Sequence, residues 1–538
     1  MRRNRWLLWI AGSLFAALAV LAGVAALLLH RAEPYLRARI VAELEEHFHA
    51  RVELDSFHLS LLNGLWAEGR GLRIWPLSQA EAAQPLIQLD EFRFHTPLRL
   101  SLGKPLHISV VQLKGLQVHL PPKLHFGPLT AGPEDASAPA KPATNAALLR
   151  VDLDTIECSD AHLTLETDKP GKLPLDFAIA HLTLTGINTG GPLGFEAELT
   201  NPRPVGTIHS TGTVGPWKTE DTGESAIAGN YTFNHADLAT FKGIAGILSS
   251  TGHYQGTLRD LTVDGESDTP DFRLTHFGNP LPLHTRFHAK VDATNGDTRL
   301  EPVDAILGHS HFTAKGQIVR ASAHAAPAQT FTGHDIALNI NVDHGRIEDF
   351  LRLASHSATP LLTGAVVISA KLNIPPGPAP VHERMTLDGN FSLDQARFTS
   401  KKIQDGIEQL SLRGQGRPEE VKQIDPDSVR SAMKGDFHMA AAVLTLPGFE
   451  YTVPGATVQL AGTYGLEGSA LNFSGTAKTQ ATVSQMVGGW KGMLLKPADR
   501  FFKKNGAGVE LPIRIEGTRE DPKFTLDFDR LKITASAH

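Results

Sequence analysis

Cysteine is nearly absent from this sequence, and its scarcity limits how the fold is held together. Cys158 is the single cysteine in 538 residues, so no intramolecular disulfide can form. Disulfides are needed mainly by small secreted domains, so this count is compatible with a large body in an oxidising compartment. The stability of the fold must therefore come from burial and from backbone hydrogen bonding.

An excess of basic residues is also lacking. Lys and Arg number 51 against 57 Asp and Glu, which gives a formal net charge of −6. Nucleic-acid-binding proteins usually carry a basic patch or stripe, so we predict no nucleic-acid partner. Hydrophobic residues make up 41% and charged residues 20%, which is typical of a globular chain.

Catalytic and cofactor motifs are missing as well. The sequence contains no Gly-x-Ser-x-Gly, no Walker A loop and no dinucleotide fingerprint after a strand. Ser431 and Lys434 match Ser-x-x-Lys, but the companion motifs are absent, and we interpret the match as chance. The 25 histidines are scattered, often at polar strand positions. We therefore predict no enzyme activity, no cofactor and no metal site.

One long apolar segment opens the chain. Trp6–Leu29 contains 24 residues without a charge, and as a helix it would span roughly 36 Å, enough for a hydrocarbon core of about 30 Å. Arg2, Arg3 and Arg5 precede it, which favours a cytoplasmic N-terminus. Residues 1–30 are thus predicted to form an uncleaved transmembrane anchor; the alternative is a cleaved signal peptide, whose apolar region is usually only about 7–15 residues.

An amphipathic helix is predicted directly after the anchor, at Pro34–Phe48. Leu36, Ile40, Leu44 and Phe48 are spaced by four residues and would share one helix face. One interpretation is a membrane-proximal collar that opens the body toward the bilayer. The other is a helix that caps the end of a sheet.

The rest of the chain alternates between apolar and polar residues. Such alternation, with 49 Gly and 34 Pro between short apolar runs, predicts antiparallel strands with one apolar and one wet face. We predict a mainly β fold: an elongated, twisted antiparallel sheet that forms an apolar groove, with a few short helices. The expected groove residues are Leu283, Phe287, Val291, Leu338, Ile340, Val342, Phe524, Leu526 and Phe528. A closed β-sandwich, in which these residues fill a core, is the alternative.

Composition divides the body into segments. Their predicted bounds are 31–127 for an N-terminal β segment with the amphipathic helix, 128–147 for a flexible loop, 148–320 for a middle β segment, 331–414 for a further β segment, 415–434 for a polar insertion and 435–538 for a C-terminal β segment. Short helices are predicted at Asp237–Leu248, Arg346–Leu353 and Val483–Leu495.

Several short motifs, taken in their order, resemble AsmA-like proteins. They include Val52-Glu-Leu-Asp-Ser-Phe-His-Leu-Ser60, Thr251-Gly-His-Tyr-Gln-Gly-Thr-Leu258, Arg346-Ile-Glu-Asp-Phe-Leu-Arg-Leu353 and Gly517-Thr-Arg-Glu-Asp-Pro-Lys-Phe524. Each motif is short, and the resemblance runs over nearly the whole chain. It extends to the C-terminal β segment, which is similar to the AsmA-like C-terminal region.

The resemblance implies a single-pass inner-membrane protein with a periplasmic body, in bacteria that have two membranes. It also implies a curved sheet with an apolar trough, a role in phospholipid traffic and outer-membrane integrity, envelope protein partners and no catalytic residues. The chain is short for a protein that spans the periplasm alone. Two functions are therefore expected: binding or conducting phospholipid or another acyl lipid, or serving as a membrane-tethered structural or assembly module with a closed core.

Overall fold

The structure, a computed structural model, describes most of the chain after residue 32. The described residues are 33–35, 37–42, 44–45, 50–60, 65–76, 84–96, 106–121, 151–166, 174–187, 191–202, 204–218, 221–241, 243–275, 279–320, 334–355, 357–423, 429–466, 470–487, 489, 493, 496, 499, 508–518 and 521–526.

Strands make up most of the described residues, which confirms the mainly β prediction. The first twelve are β1 Ala50–Ser60, β2 Leu65–Pro76, β3 Ile87–Thr96, β4 Leu106–Leu120, β5 Val151–Leu165, β6 Leu175–Thr185, β7 Leu193–Pro202, β8 Val205–Val214, β9 Ala226–Asp237, β10 Ile244–Ala245, β11 Ile247–Thr257 and β12 Leu261–Leu274. The others are β13 Leu281–Asp292, β14 Asp297–Leu307, β15 Ser310–Arg320, β16 His334–Arg346, β17 Leu362–Ile374, β18 Thr386–Phe398, β19 Ala432–Ala440, β20 Val443–Val453, β21 Ala456–Gly465, β22 Ala470–Thr479, β23 Val509–Thr518 and β24 Pro522–Leu526.

Helices are short. Those described include α1, seen in part between residues 33 and 45, α2 Ile347–Leu353, α3 Val381–Arg384, α4 Lys401–Gly414 and α5 Val483–Val487. Single 3₁₀ segments occur at Thr222–Glu224, Leu238–Thr240 and Pro418–Gln423.

The strands form one curled sheet in which chain order is also spatial order. Each strand pairs with the next in antiparallel fashion, β9 passes directly to β11, and β10 lies beside the end of β12. The exception is β4, which runs parallel to β5 from the Leu106–Val151 pair to the Leu120–Leu165 pair. Parallel neighbours need a long crossover. That crossover contains the predicted loop 128–147, which lies outside the described residues.

The ends of the strands form two rims of the sheet. We call them the Ala50 rim and the Ser60 rim, after the first and last residues of β1. Connections at the Ala50 rim include β12–β13, β16–β17, β18–β19 and β22–β23, and they carry α2, α4 and α5. Connections at the Ser60 rim include β8–β9, β11–β12, β13–β14 and β17–β18, and they are mostly turns, with α3 in the last. The longer insertions thus gather mainly at one rim.

The outer face of the sheet is polar, and its charges are paired across strands. Three neighbouring pairs join β12 and β13: His284 Nδ1 to Asp268 Oδ1 at 2.7 Å, Arg286 Nη2 to Glu266 Oε1 at 2.8 Å and His288 Nδ1 to Asp264 Oδ1 at 2.6 Å. Such cross-strand pairs between polar side chains favour this register. Several histidines that alternation placed on a wet face therefore have carboxylate partners.

Of the predicted helices, Arg346–Leu353 is confirmed by α2, and Val483–Leu495 is matched by α5 over its first turn. The predicted helix at Asp237–Leu248 is wrong. Its three-four spacing gives only one 3₁₀ turn, because Gly243 and Gly246 adopt positive φ values and end the helical geometry. Apolar residues of this segment instead belong to the strands β10 and β11.

Helix α4 was not predicted, although Ile403, Ile407 and Leu410 have the spacing of a helix face. The polar residues between them obscured the pattern. They include Gln404, Glu408 and Ser411, all of which are buried.

The predicted transmembrane anchor, residues 1–30, lies outside the described residues. Among the helices that the structure does describe, none has the length and apolar character needed to cross a bilayer.

Candidate functional site

The predicted groove residues of β13 and β16 lie on one face of the sheet. Residues directly opposite each other on neighbouring strands share a face. Phe287 is opposite Val303, Val303 is opposite Ala314, and Ala314 is opposite Ile340. Phe287 and Ile340 are therefore members of one cross-strand row, separated by about 14 Å at the usual strand spacing.

The same face continues to both ends of the described sheet. Toward β1, the pairings connect Phe94 with Ala67 and Phe92 with Gly69. Toward β23, they connect Phe473 with Ile515. The backbone of β24 adds Phe524 opposite Ile515 and Leu526 opposite Ile513, while their side chains and Phe528 lie outside the described residues.

We call the space along this face the apolar channel. Leu283, Phe287, Leu338 and Ile340 are half-buried there, whereas Val342 is buried. An opposing sheet, as in a sandwich, would bury such residues more fully. The described strands belong to a single sheet, so the channel walls come from one curled layer.

The two rims of the sheet contact each other at three places. Each contact joins the Ala50 rim of an earlier strand to the Ser60 rim of a later one. The pairs are Pro121 with Thr222, Leu175 with Gly296, and Gly243 with Val381. They border the stretch from β8 to β13.

The first of these contacts is a hydrogen bond: Thr222 Oγ1 donates to the Pro121 carbonyl at 3.3 Å. The other two are apolar. Leu175 Cδ2 lies 3.9 Å from the position of an ideal Cβ on Gly296, and Val381 Cβ lies 2.9 Å from that of Gly243.

Helix α1 covers the first strands. Ile40 and Leu44 pack on the apolar face over β1 and β2. The other two members of the predicted stripe, Leu36 and Phe48, lie outside the described residues. Ile40 and Leu44 thus lie where the sheet-capping interpretation puts them.

Side chains of α1 also occupy the outer edge of β1. Glu45 Oε1 accepts from the Val52 N–H and Glu33 Oε1 from the Leu59 N–H, each at 3.2 Å. Arg37 donates to the Leu54 carbonyl. Because these groups occupy backbone positions that would otherwise pair with another strand, α1 protects this edge.

The opposite end is sealed by a larger core. Ile407 and Leu410 of α4, together with Phe350 and Leu351 of α2, pack against the apolar face of β17–β22. Within this core Glu408 is only 1% exposed. Gln404 Nε2 donates to its Oε1 at 3.1 Å, while its Oε2 has no hydrogen-bond partner.

Two hollows on the sheet lie outside the channel. One, of about 720 Å³, is bordered by polar-face side chains such as Lys434, Glu450 and Gln459. The other, of about 580 Å³, is bordered by Glu91, Arg93 and their neighbours. Oppositely charged side chains pair within each, and Lys434 lowers the pKa of Glu450 through a hydrogen bond.

The Ser-x-x-Lys match does not bring its two residues together. Ser431 is buried and donates to the Ala396 carbonyl, whereas Lys434 is exposed and pairs with Glu450 at 3.2 Å. Among the described residues, no group of three histidine, cysteine or carboxylate side chains is placed to hold a metal ion.

A set of hydroxyl-bearing residues on the channel wall was not among the predicted site residues. They are Ser210, Tyr231, Ser250, Tyr254, Ser267 and Thr285, and we call them the hydroxyl belt. Along each strand they alternate with the polar-face residues, as the apolar residues do. This alternation is the sequence signal that could have assigned them to the channel face.

No protein-family model, curated protein or solved structure matches this chain.

Proposed function

We propose that this protein is a membrane-anchored carrier whose apolar channel holds the acyl chains of a phospholipid or related lipid. The observation that supports this most is the mainly apolar face that runs from β1 to β23 and is half-buried in its middle. Each CH₂ group moved into water is unfavourable by about 0.8 kcal/mol. A carrier therefore needs a continuous apolar surface, and a polar outer face keeps it soluble.

The proposed setting follows from the sequence. The uncharged run Trp6–Leu29 and the basic residues before it support an inner-membrane anchor with the body in the periplasm. The resemblance to AsmA-like proteins supports membership of that family and a role in outer-membrane lipid homeostasis. Envelope proteins are the expected partners.

A closed, lipid-free assembly module is the second candidate. The core between α4 and β17–β22 favours it, because apolar side chains there are buried by other parts of the chain. This core lies at one end of the sheet, whereas the channel residues Phe287 and Ile340 lie outside it and stay half-buried.

Mass spectrometry of the gently extracted, then denatured, protein tests the proposal. We expect co-purifying acyl lipid at stoichiometric level. A lipid-free sample at that sensitivity would favour the assembly module.

Two neighbouring substitutions provide a matched comparison. Ile340→Asp places a charge in the channel, and Asn341→Asp places the same charge on the polar face. We expect the first to lose lipid and remain folded, and the second to retain lipid. If Ile340→Asp only unfolds the protein, Ile340 belongs to a sealed core.

A further inference from the structure

The hydroxyl belt interrupts an otherwise apolar channel wall. Cross-strand pairing aligns Ser250 with Ser267, and Ser267 with Thr285, whose hydroxyl oxygen lies 2.7 Å from that of Ser267. Tyr231 and Tyr254 lie beside these residues with ring centroids 6.5 Å apart. Hydroxyls in an apolar environment are unfavourable unless they are hydrogen-bonded, so the belt needs a physical explanation.

The two tyrosine rings lie over glycines. A Cβ at Gly229 would be 2.8 Å from the Tyr254 hydroxyl, and one at Gly265 would be 2.8 Å from the Tyr231 hydroxyl. Each ring is half-buried, so part of it faces the channel. The glycines therefore make room for two aromatic side chains in the wall.

The hydrogen bonds of the two serine–tyrosine pairs fix which of these groups donate. Ser210 donates to the Asn230 carbonyl at 3.0 Å, so the 2.6 Å contact between Ser210 and Tyr254 uses the tyrosine proton. Ser250 donates to the Glu266 carbonyl at 2.8 Å, so its 3.2 Å contact with Tyr231 likewise uses the tyrosine proton.

Burial raises the pKa of Tyr231 and of Tyr254, so both keep their protons at neutral pH. With its proton committed, each tyrosine oxygen has lone pairs left and no proton to give. The two tyrosine oxygens therefore offer acceptors to a molecule in the channel, whereas the Ser267–Thr285 pair uses one of its two protons internally and keeps the other to donate. A partner that fits must bring hydrogen-bond donors.

The lack of charged side chains on the channel wall restricts which head group a bound lipid can have. On β8, β9 and β11–β13, which are described over their whole length, the channel-facing positions carry no charged side chain. A buried phosphate or ammonium without a counter-charge would be strongly unfavourable. A charged head group lying against this wall would therefore find no counter-charge, and the rim contacts of Thr222, Gly243 and Gly296 border the same stretch.

We propose that the hydroxyl belt binds the head of an uncharged, hydroxyl-bearing lipid, such as a diacylglycerol or a glycosylated diacylglycerol, whose hydroxyls donate to Tyr231 and Tyr254. The inference rests on the proposed lipid-carrier function and names its cargo class. A neutral head supplies donors without a buried charge. The acyl chains then extend along the apolar wall on either side of the belt.

Competition among lipids with identical acyl chains tests this. The full-length protein in mild detergent is offered dioleoylglycerol, its glucosylated form and dioleoylphosphatidylcholine, and bound lipid is measured by mass spectrometry. We expect one or both neutral lipids to bind roughly tenfold more tightly than the phospholipid, as two net hydrogen bonds would give. The two neutral lipids distinguish a glycerol hydroxyl from a sugar as the donor.

The variant Tyr231→Phe/Tyr254→Phe keeps both rings and removes both acceptors. It should lose the preference and still bind lipid, with its unfolding midpoint as the folding control. Tyr451→Phe, on the same face within the sealed core, should keep the preference.

Equal binding of neutral lipid and phospholipid, a preference for the phospholipid, or a preference that survives in the double variant would overturn the belt proposal and leave the carrier function standing. Absence of any bound lipid would overturn both.

Discussion

Val381 contacts Gly243 although the two residues belong to opposite rims of the sheet. Val381 lies in α3, between β17 and β18, and Gly243 lies between β9 and β11. Gly243 has a φ of +114°, and an added Cβ would be 2.9 Å from Val381 Cβ. Through this contact the Ser60 rim of later strands meets the Ala50 rim of earlier ones.

A double-mutant cycle across this contact should reveal coupling. Gly243→Ala is expected to destabilise by about 1–3 kcal/mol through backbone strain and overpacking. In the Val381→Gly background the same change should cost about 1 kcal/mol less, because the opposing Cβ is gone. Denaturant unfolding measures the stability change in each background.

Gly308→Ala serves as the control, because Gly308 also has a positive φ but faces Asp349. The effect of Gly308→Ala should simply add to that of Val381→Gly. Additive effects of Gly243→Ala and Val381→Gly would mean that the rims do not touch.

Glu408→Gln should preserve or raise stability. The substitution keeps an acceptor for Gln404 and replaces a buried carboxylate oxygen that has no partner. A neutral amide costs less to bury without a full set of partners than a carboxyl group that can carry a charge, so the expected gain is about 1 kcal/mol. The measurement is the free energy of unfolding from denaturant titration. Glu420→Gln, at an exposed ion pair with Arg417, should change stability by only a few tenths of a kcal/mol. A clear loss at Glu408 would imply a counter-charge in the core.

The pair of His311 and Asp343 predicts an acid-dependent loss of stability. His311 Nδ1 lies 2.9 Å from Asp343 Oδ1, and this hydrogen bond is the main reason that the pKa of Asp343 falls from 3.8 to about 2. A carboxyl group whose pKa is lower in the folded protein stabilises the fold at any pH above its unfolded-state pKa. That contribution is lost as the pH falls toward its folded-state pKa.

Between about pH 4 and about pH 2, the wild-type unfolding midpoint should therefore drop more steeply than that of Asp343→Asn. His311→Ala should have the shallower profile as well. Parallel pH profiles for the wild type and His311→Ala would show that this hydrogen bond does not lower the pKa of Asp343.

Cys158 should resist alkylation in the folded protein. It is 4% exposed on the apolar face, and burial raises its pKa to about 11. Since the thiolate is the reactive form, iodoacetamide at neutral pH should label it only after unfolding, as mass spectrometry can follow. In a Cys158→Ser background, Glu157→Cys on the exposed polar face should react readily. Rapid labelling of native Cys158 would show that β5 opens in the folded state.

Much of the strand architecture could be predicted from alternation. Phe287 and Ile340 were assigned to one apolar face from their own strands alone, and the register places them in one row. The helix predicted at Asp237–Leu248 failed because apolar spacing says nothing about two glycines with positive φ. Helix α4 was missed for the opposite reason, since Glu408 and Ser411 look exposed in sequence and are buried by tertiary packing.

The sequence by itself determined which side chains share a face, because a strand repeats every two residues and a slip of one residue would turn every apolar side chain to water. Only the tertiary structure decided that the rims meet and that Tyr231 and Tyr254 commit their protons to serines on other strands. Thr222 and Pro121 are 101 residues apart. Their meeting depends on twist accumulated over several strands, which local alternation does not encode.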